Sequence, residues 1–291
     1  MDEPQSRPKN EVAATALHPL NSRGMSIQIA PASLHRVILA VAQVTFREIL
    51  RDKVLYNTVV ISGLLFGVGV LASKLTFIRP DRVVLDFGLT AIALSNGFLA
   101  ILIGSGMLAR EFERRTILVA LTKPITRIQF LLGKFVGLGG VLVLNSLLLS
   151  AGYLLVLKVL SEGGMIFSST LGWALLLLGV QSLVLAALAV FFSSFSTASL
   201  AVMMTFGTYV IGINCSQIRM LALKQDSAIV QGVLQFVASS IPNFENFNLG
   251  LKVNYGLPIL PQFILTSLVY GSTWILLLML FSGFLLERRE S

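Results

Sequence analysis

The chain has 291 residues, of which 55% are hydrophobic and only 12% charged, with a mean hydropathy of +0.83. Soluble domains carry about 25% charged residues, so this shortage excludes an ordinary water-solvated fold and makes the bilayer the solvent. The net charge of +8 reads as loop topology and not as nucleic-acid affinity, because cytoplasmic loops of membrane proteins collect Lys and Arg.

Residues 1–30 are polar and mixed in charge, with no apolar core before Met25. They read as a flexible cytoplasmic tail and not as a signal peptide. Residues 31–53 form an amphipathic segment. Leu34, Val37, Ile38, Val41, Val44 and Ile49 share one broad face at helical spacing, and Arg36, Gln43 and Arg47 fall opposite. The expectation is a helix lying in the membrane interface, basic side toward anionic headgroups.

From residue 54 to 291 the pattern is all-α, a polytopic domain with six transmembrane helices at about 54–75, 84–109, 129–157, 168–193, 197–218 and 260–286. Each contains the length of apolar sequence, roughly 18 residues or more, that a spanning helix needs. No stretch shows the alternation of a membrane β-barrel. The fourth and fifth spans meet at Ser193-Ser194-Phe195-Ser196, residues that suit a tight turn. Between spans two and three, residues 110–127 include "EFERRTILVALTKPITR". This stretch is helix-compatible up to Thr122, is stopped by Pro124 and carries Glu111 and Arg115 at i, i+4. Thr126 is placed to cap the third span. Residues 220–261 make a long outer segment, in which Ile229, Val233, Val237 and Ile241 recur every fourth residue before Pro242. That periodicity predicts a helix, either dipping into the outer leaflet or closing over the spans.

Counting Lys and Arg between spans places 15 on the side of both termini and residues 110–127, against 7 on the other. Both termini are therefore expected in the cytoplasm. Two small-xxx-small pairs, Gly63/Gly67 in span one and Gly133/Gly137 in span three, mark sites of close helix approach. The polar residues within spans, Asn57, Asn96, Asn145, Gln181 and Asn214, are neutral, and Asp86 sits at the outer end of span two. Hydrogen bonds between helices, worth about 1 kcal/mol or less each, are their expected role.

Catalytic patterns are not met. Gly133-Lys134 looks like the end of a P-loop, but Ile128 replaces its first glycine and Phe135 its magnesium-binding hydroxyl residue. His18 and His35 are the only histidines and form no zinc motif. Ser105 lies in I-G-S-G-M, which is not a nucleophile elbow. Cys215 is single and sits in an apolar stretch, as a packing residue would. The reading is a non-enzyme with no catalytic, cofactor or metal residues of its own. The scarcity of ionisable groups inside spans also weighs against an ion-coupled carrier.

Several segments in order resemble the membrane subunit of an ABC transporter of the ABC-2 permease class. These are "FREILRDK" before span one, "AREFERRTILVALTKPITRIQFLLGKFVG" between spans two and three, the tight turn between spans four and five, and "SSIPNFENFN" before span six. The second is similar to the NosY-like and gliding-motility-like branch. The resemblance implies a bacterial inner-membrane permease that dimerises with a second protomer, identical or related, and docks a separate ABC ATPase, where ATP and magnesium are handled. It implies that Glu111, Glu113, Arg114 and Arg115 contact that ATPase, with Arg47 and Arg51 nearby, and that Gly63/Gly67 face the second protomer. Substrate export, or force exerted on a periplasmic partner, would follow. The alternatives are a stand-alone secondary carrier or channel and a non-transporting membrane scaffold.

Overall fold

The computed structural model describes residues 34–75, 80–113, 126–160 and 169–288. The tail at 1–30, Arg114 and Arg115 lie outside the described residues. Among those described there are helices and no strands. They are α1 (Leu34–Leu50), α2 (Lys53–Leu75), α3 (Pro80–Glu113), α4 (Arg127–Leu160), α5 (Ser169–Ser193), α6 (Ala198–Gly212), α7 (Cys215–Leu223), α8 (Ala228–Ser240), a 3₁₀ turn (Phe244–Phe247), α9 (Gly250–Asn254) and α10 (Pro261–Arg288). Five helices, α2, α3, α4, α5 and α10, are long and apolar enough to cross a membrane, and α6 with α7 makes a sixth if that bent pair is one span. The near end of the bundle is the end that carries Glu113 and Arg127; the far end is the opposite one.

α5 is apolar all round, which suits a helix surrounded by others. It pairs with α3 at the centre of the bundle. The α3 span is 67% buried and the α5 span 61%, against 22% for α2 and 28% for α10 at the periphery. α4 lies on one side of the central pair and α6 on the other. Asn96 of α3 meets Asn145 of α4, whereas Gly97, one residue and about 100° further round, faces the Tyr209 hydroxyl of α6. α2 seats on α3 alone to any large extent, through Ser62 against Ser95 and Gly69 against Phe87. α4 locks this junction. The Tyr153 ring occupies the space where a Cβ on Gly88 would stand, stacks on Phe66 at 5.8 Å, and its hydroxyl donates to the Leu85 carbonyl at 3.2 Å.

The fifth span departs from the sequence expectation of one helix over 197–218. It breaks after Gly212, and α7 leaves at 61°. Three contacts account for the break. The far-end loop presses on Gly212, where a Cβ would stand 2.5 Å from Phe244 Cδ2 and 2.6 Å from the Pro242 carbonyl. Asn214 Nδ2 donates back to the Val210 carbonyl at 2.8 Å, an interaction that competes with continued helix. Glu245 then accepts from the Ser216 N–H at 3.2 Å and from the Ser216 hydroxyl, capping the new direction.

The helix expected from the 229–241 periodicity is α8. It packs on α7 through buried Ala238, whose carbonyl accepts from Arg219 at 3.3 Å. Of the expected stripe, Ile229 and Val233 are exposed, together with Phe236, whereas Val237 and Ile241 are half-buried.

Candidate functional site

Of the residues expected to meet an ATPase, Glu111, Glu113, Arg47 and Arg51 are described. Glu111 and Glu113 occupy the last turn of α3, and Arg47 and Arg51 are exposed on α1 and just beyond it. The chain re-enters the described residues at Thr126. Thr126 and Gln129 form a reciprocal cap, the Gln129 N–H donating to Thr126 Oγ1 at 3.3 Å and the Thr126 N–H to Gln129 Oε1 at 3.2 Å.

Three ties anchor the helices that flank 114–125. First, α1 lies against the start of α4. Cβ atoms on Gly133 and Gly137 would stand 2.6 Å from Val41 Cβ and 2.7 Å from the Ala42 carbonyl, so only glycine permits this approach. Ala42, Thr45 and Ile49 are buried there, and Lys134 pairs with Glu48 at 3.6 Å. The packed face of α1 is thus centred on Thr45, while Val44, placed on the apolar face by sequence, is 67% exposed. Arg36, Gln43 and Arg47 remain on the exposed side. Second, Arg127 donates to the Leu286 carbonyl at 3.0 Å, joining α4 to the end of α10.

Third, Ser193 at the end of α5 inserts its hydroxyl into the backbone of α3. Its Oγ accepts from the Leu108 and Ala109 N–H groups at 3.3 and 3.0 Å and donates to the Ser105 carbonyl at 2.7 Å. The insertion needs close backbones, and Gly104 supplies them: a Cβ there would lie 2.8 Å from Ala189 Cβ. Side chains that enter a helix ladder mark places where helices bend. The sequence offered the serine turn at 193–196 as a local signal, and nothing in it joins Ser193 to Ser105.

Gly63 and Gly67 are of the other kind. Nothing stands within 4 Å of a Cβ built on either. They lie on α2 among Val60, Leu64, Val68 and Leu71, all exposed.

At the far end a cavity of about 560 Å³ opens between α3, α5 and α6 beneath the 3₁₀ turn and α9. Phe244 and Phe247 hold its roof, both buried, Phe244 edge-on to Tyr209 at 5.2 Å and Phe247 near Tyr270 at 6.1 Å. The Asn243 N–H donates to the Tyr270 hydroxyl at 2.8 Å and Ser267 to the Asn246 carbonyl at 3.2 Å, so the stretch "SSIPNFENFN" is a folded plug tied to α10. Gln181 lines the cavity and donates to the Tyr209 hydroxyl at 3.1 Å. Among the described residues no cluster of His, Cys, Asp and Glu is placed to hold a metal.

Five or six apolar spans around a polar-stitched core define a multi-pass membrane protein. The pattern of the family described as ABC-2 family transporter protein matches residues 32–290, and the chain belongs to that family. It is an ABC-2 permease membrane domain, a class that lacks the ATPase domain and works in a membrane with an ATPase partner. Among curated proteins no match is found.

Proposed function

We propose that this chain is the permease subunit of a bacterial inner-membrane ABC exporter of the NosY-like and gliding-motility-like branch. Its near end lies in the cytoplasm with both termini. It pairs with a second protomer and docks a separate ATPase on residues 110–127, through Glu111, Glu113, Arg114 and Arg115, with Arg47 and Arg51 of the α1 region alongside. The observation that supports this reading most is the set of ties at the near end. α3 and α4 flank the proposed docking stretch, and each is fastened to other helices within a few turns of it: α3 to α5 through Ser193, α4 to α1 through Gly133 and Gly137, and α4 to α10 through Arg127. A push on the stretch is passed to five helices rather than absorbed by a loop. Closure of the ATPase pair on ATP supplies the push.

Charge reversal tests the docking. The double variant Glu111→Lys/Arg114→Glu is expected to insert in the membrane at normal level and to lose co-purification of the ATPase encoded beside it. Undiminished co-purification overturns the docking assignment. A chain that moves substrate in liposomes with no ATPase present overturns the permease reading as a whole.

A further inference from the structure

The far-end cavity lies within one protomer, and its volume of about 560 Å³ falls in the roughly 300–1,000 Å³ range of ligand pockets. Its charged lining is acidic. Asp86 stands at the mouth on α3 and Glu245 on the 3₁₀ turn. Both accept hydrogen bonds from neutral donors, Asp86 from Asn254 and Glu245 from Ser216. Among the described residues neither forms an ion pair with a basic side chain. Two carboxylates therefore line one cavity with no basic side chain within ion-pair distance, Arg82, one turn before Asp86, being held over the Tyr255 ring at 4.6 Å. In the low dielectric beside a bilayer such a pair attracts a cation far more strongly than in water.

A second, independent feature points the same way. Gln181 is only 6% exposed, and its Oε1 has no hydrogen-bond partner. Buried polar atoms are almost always paired, and an unpaired acceptor on a cavity wall is met by a donor on whatever fills the cavity. Thr90, Asn248 and the Tyr209 hydroxyl add neutral polar groups to the lining, and the rest is apolar, with Leu89, Leu94, Leu178 and Phe244 among it. From the mouth, Asp86, Thr90, Leu94, Phe98 and Leu102 follow one another every fourth residue down α3, all exposed. That stripe leads from the carboxylates into the membrane-spanning part of the helix.

We propose that the cavity binds a single-chain or larger amphiphile whose headgroup is a protonated amine with a further N–H or O–H donor. The ammonium sits between Asp86 and Glu245, the second donor satisfies Gln181, and the acyl chain lies along Leu94, Phe98 and Leu102. This names the cargo class of the permease and in that respect rests on the function proposed above. Binding itself needs no ATPase.

The test uses the full chain in phosphatidylcholine nanodiscs without ATPase or nucleotide. The probe is N-dodecanoylputrescine carrying a diazirine in its chain, with cross-links located by mass spectrometry. Labelling at Asp86–Leu94 and Tyr209–Ile213 is scored against labelling of lipid-facing α10, which corrects for partition into the bilayer. Enrichment at the cavity is expected, competed by unlabelled N-dodecanoylputrescine and not by N-dodecanoyl-γ-aminobutyrate, which exchanges the ammonium for a carboxylate. Asp86→Asn/Glu245→Gln removes both charges, keeps one acceptor oxygen at each position and is expected to lower the enrichment about tenfold, as loss of paired charge-assisted contacts would. Thr90→Trp, at an exposed position on the mouth, is expected to abolish it. Even labelling over all lipid-facing helices, equal competition by the acid, or unchanged enrichment in both variants overturns the assignment. Failure here leaves the ATPase-docking result standing, and loss of docking leaves this readout untouched.

Discussion

At the scale of single residues, small and hydroxyl-bearing side chains carry the specificity of this bundle, because hydrophobic residues in lipid gain little by moving from lipid to protein. Ser193 is the clearest case. Its hydroxyl makes three contacts with the α3 backbone and is fully buried. Ser193→Ala is expected to cost about 1 kcal/mol of stability, the typical net value of buried hydrogen bonding. It should also slow transport more than it lowers the amount of folded protein, since it frees α3 from α5 beside the proposed docking stretch. Thermal unfolding in detergent and ATP-dependent transport measured side by side check this; equal losses in the two would assign Ser193 to stability only. The sequence reading anticipated that the polar span residues would bond across helices. Asn145 does so with Asn96 at 2.8 Å and Gln181 with Tyr209, but Asn214 turns back on its own helix at Val210. Residue type alone cannot separate those outcomes, because the choice depends on which neighbour the fold brings within reach.

Among the elements, α1 is the one whose role changed most between sequence and structure. Periodicity shows an amphipathic helix but not what its apolar face rests on. Here that face includes Thr45 and is fitted to Gly133 and Gly137 of α4. The glycine pair was legible as a site of close approach, while its partner, nearly a hundred residues earlier, was not. Gly137→Leu would force a side chain into the Ala42 carbonyl and Thr45, an overpacking that costs about 1–3 kcal/mol at well-packed sites. The expected outcome is release of α1, read as faster tryptic cleavage at Arg47 and Arg51 with the remaining spans intact. Unchanged cleavage would mean that α1 is not held by this contact. The spans themselves were legible to within a few residues, since length and hydropathy decide them. The bend after Gly212 was not, because the Pro242–Phe247 loop that creates it comes thirty residues later in the chain.

Considered as a whole molecule, the bundle leaves the outer face of α2 bare, as it does that of α10. α2 touches chiefly α3, and Gly63 and Gly67 meet nothing. The two glycine pairs look alike in sequence and differ in use: one is filled by α1, and the other is open. An open pair of this kind fits a second protomer, in line with the proposed dimer. Gly63→Leu/Gly67→Leu is expected to convert a dimer to a monomer on size-exclusion chromatography with light scattering, with no loss of monomer unfolding temperature. A dimer that persists unchanged would move the interface elsewhere. The match over residues 32–290 begins where α1 is about to begin and ends just past α10, so the helix that clamps α4 belongs to the family unit along with the spans.

The short α6 has a consequence for how the chain completes its crossing. Its 15 residues reach about 22 Å, whereas the hydrocarbon core of a bilayer is about 30 Å thick. The missing depth falls to α7, whose 61° turn carries the chain on toward the far surface at a slant. Ile213, at the break itself, lines the cavity, so the turn that completes the crossing also shapes the chamber beside it.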